Sequence, residues 1–140
     1  HLVFVVRTLG NFNDDIDFVD GDTVQGDVHL GWGVVLDDHK LRADYDTWEA
    51  NRRRRTFEIS DEEIVRGQKA AVAFETLVND SDGLFITPPV IGAAYADNYG
   101  RLLGVWYIRW GGNRWVKVAD WAKENGHLRG QEVHEQPPGP

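Results

Sequence analysis

Residues 23–45 read TVQGDVHLGWGVVLDDHKLRADY, and their pattern is the strongest indication of the fold class. Polar and apolar residues roughly alternate over 23–30, as they do in a strand that buries one of its faces. Gly31 and Gly33 then allow a tight turn, and a second strand-like run follows over 34–45. The pattern therefore predicts a β-hairpin.

Three further segments have the composition of strands. They are rich in β-branched, aromatic or other large apolar residues and lie at 2–8, 84–87 and 102–110. Residues 9–22, in contrast, are rich in Asp, Asn and Gly, and we predict that they form a loop.

Two helices complete the predicted elements. The first begins at a capping box, Ser60 followed three residues later by Glu63. Apolar residues then recur at helical spacing, so the helix is expected over about 61–78. The second helix is expected over about 116–125, with Gly126 as its C-terminal stop.

The order of these elements predicts a mainly β fold with helices, of the α+β class. Five short strands with an intervening helix suit a small, partly open β-barrel of the oligonucleotide-binding (OB) type, with two to three helices. We expect one domain over residues 1–130, followed by an irregular, polar and Pro-rich tail at 131–140.

The composition excludes several classes of protein. The 140 residues are 41% hydrophobic, which excludes a disordered chain. The formal net charge of -8 argues against a protein that holds DNA by bulk charge alone. An acidic protein can still act on nucleic acid if its carboxylates bind a cation, and otherwise the acidity serves solubility. The absence of Cys excludes disulfides and thiolate metal sites.

The sequence gives no sign of a membrane partner. No apolar run approaches the ~20 residues that span a bilayer, and the opening segment lacks the features of a signal peptide. We therefore expect a soluble monomer, either cytoplasmic or secreted.

Three polar clusters fall at predicted strand ends, where a scaffold can hold side chains firmly and leave them accessible. They are Asp20-Gly21-Asp22-Thr23, Asp46-Thr47-Trp48-Glu49 and Tyr99-Gly100-Arg101. An alternative for the first cluster is turn and capping chemistry. For the second cluster the alternative is a solvated strand end.

The first two clusters carry carboxylates suited to a metal and to an attacking water. Asp22 and Asp46 are hard oxygen ligands of the kind that Ca²⁺ prefers. With the backbone carbonyl of Thr47 and several waters they would make an incomplete shell, open to a phosphate oxygen. Glu49 follows Asp46 by three residues, close enough to orient or deprotonate a water.

Arginine is the second component of the predicted site. A guanidinium donates to two phosphate oxygens at once, and Arg101 and Arg42 are the candidates for this contact. The run from Arg52 to Arg55 either contacts a phosphate backbone or forms a solvated loop that offsets nearby acids.

These clusters, in this order, resemble the motifs of the staphylococcal nuclease (thermonuclease) family, which are D-G-D-T, R-x4-D-T-P-E and Y-G-R. The resemblance covers about residues 15–128. It implies a five-stranded barrel with helices, a Ca²⁺ cofactor, and cleavage of DNA and RNA to 3′-phosphate ends. By this match the metal ligands would be Asp22, Asp46 and the Thr47 carbonyl, the base Glu49, and the phosphate clamps Arg42 and Arg101.

The chain departs from the family pattern at three points, the last of which is the arginine-rich insertion before the first helix. Trp48 stands where the family has Pro. Only three residues separate Arg42 from Asp46, where the family has four. In a regular strand this spacing puts both side chains on one face, and a missing bulge residue could absorb the shift. The shift favours Arg101 over Arg42 as the phosphate clamp and leaves Asp44 as a further carboxylate near the metal.

Histidine and tryptophan are two further residue types that could bind a metal or a nucleic acid. The histidines lack ligand spacing, so we expect no zinc site; they include His29, His39, His127 and His134. Four tryptophans either stack on bases or, as we expect, fill the core and the helix–barrel seam. They are Trp106, Trp110, Trp115 and Trp121.

The sequence thus predicts a calcium-dependent nuclease that hydrolyses phosphodiester bonds in DNA and/or RNA with little sequence specificity. Its mechanism would be metal- and Arg-assisted attack of a Glu-oriented water. The alternative is a noncatalytic nucleic-acid- or protein-binding module on the same barrel, since a fold does not determine a function. A calcium-binding structural protein is a third reading.

Overall fold

The computed structural model describes residues 4–6, 16–48, 60–87, 96, 100–111 and 113–130. Within these ranges the chain is mainly β with two helices, which confirms the α+β class. The elements are β1 (Phe4–Val6), β2 (Asp17–Asp20), β3 (Thr23–Gly31), β4 (Val34–Ala43), α1 (Asp61–Asn79), β5 (Gly83–Thr87), β6 (Leu102–Trp110), β7 (Arg114–Lys117) and α2 (Val118–Glu124). Neither helix is long and apolar enough to cross a membrane. The predicted tail at 131–140 and the arginine run at 52–55 lie outside the described residues.

The strands form one sheet with the spatial order β1-β5-β6-β4-β3-β2, and β7 pairs with β6. β4 and β6 run parallel, with Leu41 opposite Leu102 and Arg42 opposite Leu103. The other pairs are antiparallel, and β1 pairs with β3 as well as with β5.

The central hairpin and the first helix form as predicted. β3 and β4 are joined by a turn in which Gly31, Trp32 and Gly33 all have positive φ, at 93°, 52° and 77°. This backbone region is open to glycine and costly for most other residues, so the two glycines make the turn possible. At the start of α1 the Glu63 N–H donates to Ser60 Oγ at 3.1 Å, half of the predicted capping box.

Two segments differ from their predictions, and in both a strand replaces the expected element. The predicted loop at 9–22 contains β2, because Phe18 pairs with Val24 of β3 and packs edge-on against Phe74 at 5.6 Å. The predicted helix at 116–125 was too long at its start, because residues 114–117 pair with β6 as β7. The prediction of five strands therefore undercounts the sheet, and tertiary contacts outweigh local composition in both places.

The core lies between the sheet and one face of α1. Trp106 of β6 stacks on Phe74 of α1 with ring centroids 5.4 Å apart, and both side chains are fully buried. Trp110 and Trp121 pack against this cluster, as expected. Trp115 does not: it is 44% exposed on the other face of the sheet, so its predicted place in the core was wrong.

Candidate functional site

The candidate carboxylates come together where β2 turns into β3 and where β4 ends. Two hydrogen bonds to backbone carbonyls connect these segments. The Ala43 N–H donates to the Asp22 carbonyl at 2.9 Å, and Tyr45 Oη donates to the Gly21 carbonyl at 2.6 Å. The turn fits closely because Gly21 has no side chain, and a Cβ there would lie 3.1 Å from Thr47 Cγ2.

Asp22 is a buried carboxylate, only 5% exposed, that is surrounded by donors. Its Oδ1 accepts from Thr23 Oγ1 at 2.9 Å, and its Oδ2 accepts from the Thr47 N–H at 2.8 Å. Burial raises the pKa of Asp22 above its usual value, and the Arg42 charge and the Thr47 N–H offset part of that rise. A carboxylate in such surroundings favours a cation close to it.

Arg42 provides that cation and joins the two predicted metal ligands. Its Nη1 lies 2.9 Å from Asp22 Oδ2, and its Nη2 lies 2.9 Å from Asp46 Oδ1. Nη1 also donates to the Tyr45 carbonyl at 2.6 Å. β4 ends at Ala43, so the chain bends between Arg42 and Asp46, and the strand-face argument from their spacing does not apply. Arg42 therefore lies against both carboxylates despite the short spacing.

Thr47 is anchored from the opposite side by the segment after α2. Thr47 forms an isolated antiparallel β-bridge with Leu128. Next to this bridge, the Arg129 N–H donates to the Asp46 carbonyl at 2.9 Å. The N–H of Thr47 is thereby left for Asp22. Thr47 Oγ1 is buried and has no hydrogen-bond partner in the part of the chain that is described.

Arg101 is placed by the neighbouring strand. It immediately precedes β6, whose first residues pair in parallel with the end of β4 that carries Arg42. Its side chain is half-buried. Arg101 thus lies two residues before Leu103, the β6 partner of Arg42.

Other predicted residues lie elsewhere or outside the described ranges. Glu49 and residues 97–99 are outside them, so the place of Glu49 stays a prediction. The Oδ2 atom of Asp44 is 3.9 Å from Lys117 Nζ, and no contact joins Asp44 to Asp22 or Asp46. Trp48, which stands at the Pro position of the resembled motif, has the Arg66 guanidinium 5.1 Å from its ring centroid.

Sequence reasoning missed one residue that organises the site. Tyr45 was predicted only as the end of a strand, yet its hydroxyl holds the turn before Asp22 and its carbonyl accepts from Arg42. Burial raises the pKa of Tyr45 well above its usual value, so the hydroxyl stays a donor. A large residue with one polar tip, directly before Asp46, is the signal that would have indicated it.

The donor chemistry of the cluster fits a hard cation. Among the described residues no group of three or more His, Cys, Asp or Glu side chains is arranged to hold a metal. A Ca²⁺ ion at this place would therefore depend on two carboxylates, supplemented by backbone carbonyls and water, which is the incomplete shell expected from the sequence. The Arg42 guanidinium, bound to both carboxylates, shows that the pair accepts one positive charge between them.

Comparison with protein-family models finds no match to this chain, and no curated protein matches it either.

Proposed function

We propose that this protein is a Ca²⁺-dependent nuclease of the staphylococcal nuclease type, which hydrolyses phosphodiester bonds in DNA or RNA with little sequence preference. The observation that carries the proposal is the convergence of Asp22 and Asp46 on the Arg42 guanidinium. Phosphodiester hydrolysis needs positive charge against the phosphate, and carboxylates beside an arginine can supply it through a bound cation and the guanidinium together.

The strand pairings support the barrel that this function would use. β1 pairs with β3 on one side and β5 on the other, and β5, β6, β4 and β3 follow in succession. This succession of pairings among five strands favours a closed OB-type barrel, and such barrels commonly bind oligonucleotides.

The chain's own residues then have distinct tasks. Asp22, Asp46 and the Thr47 carbonyl would hold the Ca²⁺, which when bound supplies positive charge at a phosphate oxygen. Arg42 would exchange one of its carboxylate contacts for a phosphate oxygen, and Arg101 would donate from the adjacent strand. Glu49 would accept a proton from the attacking water.

Metal binding should be visible as stabilisation. Ca²⁺ at a hundredfold excess over its dissociation constant should raise the free energy of unfolding by about 2.7 kcal/mol, because it binds only the folded chain. Asp46→Ala should remove this rise in a thermal melt, because it deletes one of the two ligands. The matched control is Asp120→Ala, which deletes an exposed carboxylate in the first turn of α2 and should respond to Ca²⁺ like the wild type. A melting temperature of the wild type that is indifferent to Ca²⁺ would count against the site.

A second prediction separates the enzyme from a binding module. Glu49→Gln keeps the shape of the side chain and removes its charge, so Ca²⁺ and oligonucleotide affinity should stay nearly unchanged. The rate of cleavage should fall by about 10² or more, the usual scale for the loss of a general base, and the pH–rate profile should lose the corresponding limb. Single-turnover cleavage of labelled DNA measures both. Cleavage at the wild-type rate would exclude this role for Glu49.

One observation favours the noncatalytic binding module as a second candidate. Arg42 already has three internal acceptors, on Asp22, Tyr45 and Asp46, so its guanidinium can serve as a structural link. In that case the protein should bind oligonucleotides and leave them uncut with Ca²⁺ present.

A further inference from the structure

The outer face of β5, β6 and β7 carries an aromatic and basic cluster away from the core. We define the aromatic–arginine platform as Phe85, Tyr107, Arg109 and Trp115. Phe85 lies opposite Tyr107, and Arg109 lies opposite Trp115 in the strand register. Both aromatic neighbours meet the indole edge-on, with ring centroids 5.0 Å away for Phe85 and 6.5 Å for Tyr107.

A guanidinium covers part of this cluster. The Arg109 carbon Cζ lies 4.7 Å from the centre of the Phe85 ring and 5.6 Å from that of Trp115, both within cation–π range. Its Nε is buried without a hydrogen-bond partner in the described ranges. The ring of Trp115 is thus held in one orientation by three neighbours while 44% of the residue remains exposed.

The segment that supplies most of the platform is basic in sequence, in contrast to the whole chain. Residues 101–119 contain no Asp or Glu, whereas the complete chain has a net charge of -8. Two basic residues of this segment, Arg109 and Lys117, lie on the platform's face, and Lys117 Nζ is 3.9 Å from Asp44 Oδ2. Arg114 lies opposite Trp110 and covers that ring on the other face. An exposed indole beside Arg109 and Lys117 suits a polyanion that presents flat rings, because stacking and phosphate contacts then act together.

The platform and the candidate site lie on the same side of the sheet. Arg42 is in register with Leu103, and along β6 every second residue from Leu103 to Tyr107 and Arg109 faces away from the core. At about 3.3 Å per residue, Tyr107 is roughly 13 Å and Arg109 roughly 20 Å from the strand position beside Arg42.

We propose that the aromatic–arginine platform binds single-stranded nucleic acid, with a base stacked on Trp115 and the backbone running along β6 toward the candidate site. The proposal rests on the proposed function in that it names the single-stranded form of the same substrate. Single strands are favoured over duplexes because a base must leave its stack before it can lie on an indole. Short substrates confined to the candidate site would not reach the platform.

Binding without cleavage tests the platform directly. Anisotropy of a fluorescein-labelled thymidylate dodecamer is measured in the presence of a chelator, so that Ca²⁺-dependent hydrolysis does not interfere. Trp115→Ala should weaken binding by about fivefold or more, the lower bound for the loss of one base–aromatic stack. Trp115→Phe should retain most of the affinity, because it keeps a stacking ring. The matched control is Trp32→Ala, which removes a fully exposed indole at the tip of the β3–β4 hairpin and should leave affinity unchanged.

Charge and substrate length provide two further readouts. Lys117→Gln should lower the slope of log affinity against log salt by about 0.7, as expected for the loss of one phosphate contact to a single strand, because Lys117 lies opposite Tyr107 on the platform's face. Trp115→Ala should leave the Ca²⁺-dependent hydrolysis of bis(p-nitrophenyl) phosphate at the wild-type rate, because this small diester cannot reach the platform. A melting temperature close to that of the wild type checks that Trp115→Ala folds.

The outcomes distinguish the platform from the nuclease. Equal affinity of wild type and Trp115→Ala would overturn the platform, and so would an equal loss in Trp32→Ala. Trp115-dependent binding by a wild-type protein that cuts nothing would support the platform and overturn the proposed hydrolysis.

Discussion

Arg42→Ala is expected to destabilise the fold and to remove most phosphodiesterase activity, and Ca²⁺ is expected to restore only the stability. The change leaves the buried Asp22 carboxylate without its cationic partner, while Asp46 loses the same contact. Breaking a buried ion pair from one side costs 3–5 kcal/mol, and about 3 kcal/mol applies here because the Arg42 side chain is 19% exposed. Denaturant unfolding with and without Ca²⁺ measures this loss and its recovery.

The recovery by Ca²⁺ follows from the charge of the cluster. A cation held by Asp22 and Asp46 replaces the charge that the guanidinium supplied, so the buried carboxylate is again neutralised. The phosphate contact of Arg42 is not replaced, and cleavage should remain about 10²–10³-fold slower, as for the loss of one electrostatic donor. Arg101→Ala should reduce cleavage by at least as much, because Arg101 is the second proposed phosphate donor and lies two residues before Leu103, the β6 partner of Arg42.

Arg66→Ala is the control for Arg42→Ala. Arg66 forms an exposed ion pair with Glu62 at 2.7 Å and lies over the Trp48 ring, so its loss should cost about 1 kcal/mol or less. Cleavage by this variant should match the wild type. An Arg42→Ala protein with wild-type stability and wild-type cleavage would show that the cluster neither needs nor uses the guanidinium.

Trp106→Ala is expected to cost 3–5 kcal/mol of unfolding free energy, a large share of the 5–15 kcal/mol typical of a domain. The side chain is fully buried, stacks on Phe74 and meets Tyr45 edge-on with ring centroids 6.1 Å apart. Because Tyr45 holds the turn before Asp22, the cavity should also weaken Ca²⁺ binding. Urea unfolding and a Ca²⁺ titration of the same variant measure the two effects.

Two further variants serve as comparisons for the stability of Trp106→Ala. Trp32→Ala removes an indole of the same size from a fully exposed position and should change stability by no more than about 0.5 kcal/mol. Trp106→Phe should cost less than Trp106→Ala, because a ring remains against Phe74 and the indole Nε1 has no hydrogen-bond partner among the described residues. Equal costs for Trp106→Ala and Trp32→Ala would contradict the assigned core.

Local patterns predicted the parts of the fold that local interactions determine. The turn at Gly31 and Gly33 and the capping box at Ser60 are read within a few residues, and both elements formed where expected. β2 and β7 were missed because each is short and each forms only by pairing with another strand. The face on which Trp115 lies follows from that pairing, so the sequence alone assigned it wrongly to the core.

The site could be predicted only as a set of residue types. Strand-end motifs indicated Asp22 and Asp46, but the contacts that bring them together run through Tyr45, the Thr47 N–H and the segment at 127–129. The chain bends after Ala43, which brings Arg42 to Asp46. The spacing of these residues in the sequence does not predict that bend.

Hydrolysis by this protein is tested by incubating the wild type with single-stranded and plasmid DNA, first with Ca²⁺, then after chelation, and then after Ca²⁺ is added back. We expect cleavage of both substrates with little sequence preference, loss of cleavage on chelation and its return with Ca²⁺. DNA that is bound yet left intact at every Ca²⁺ concentration would contradict the nuclease and favour the binding module.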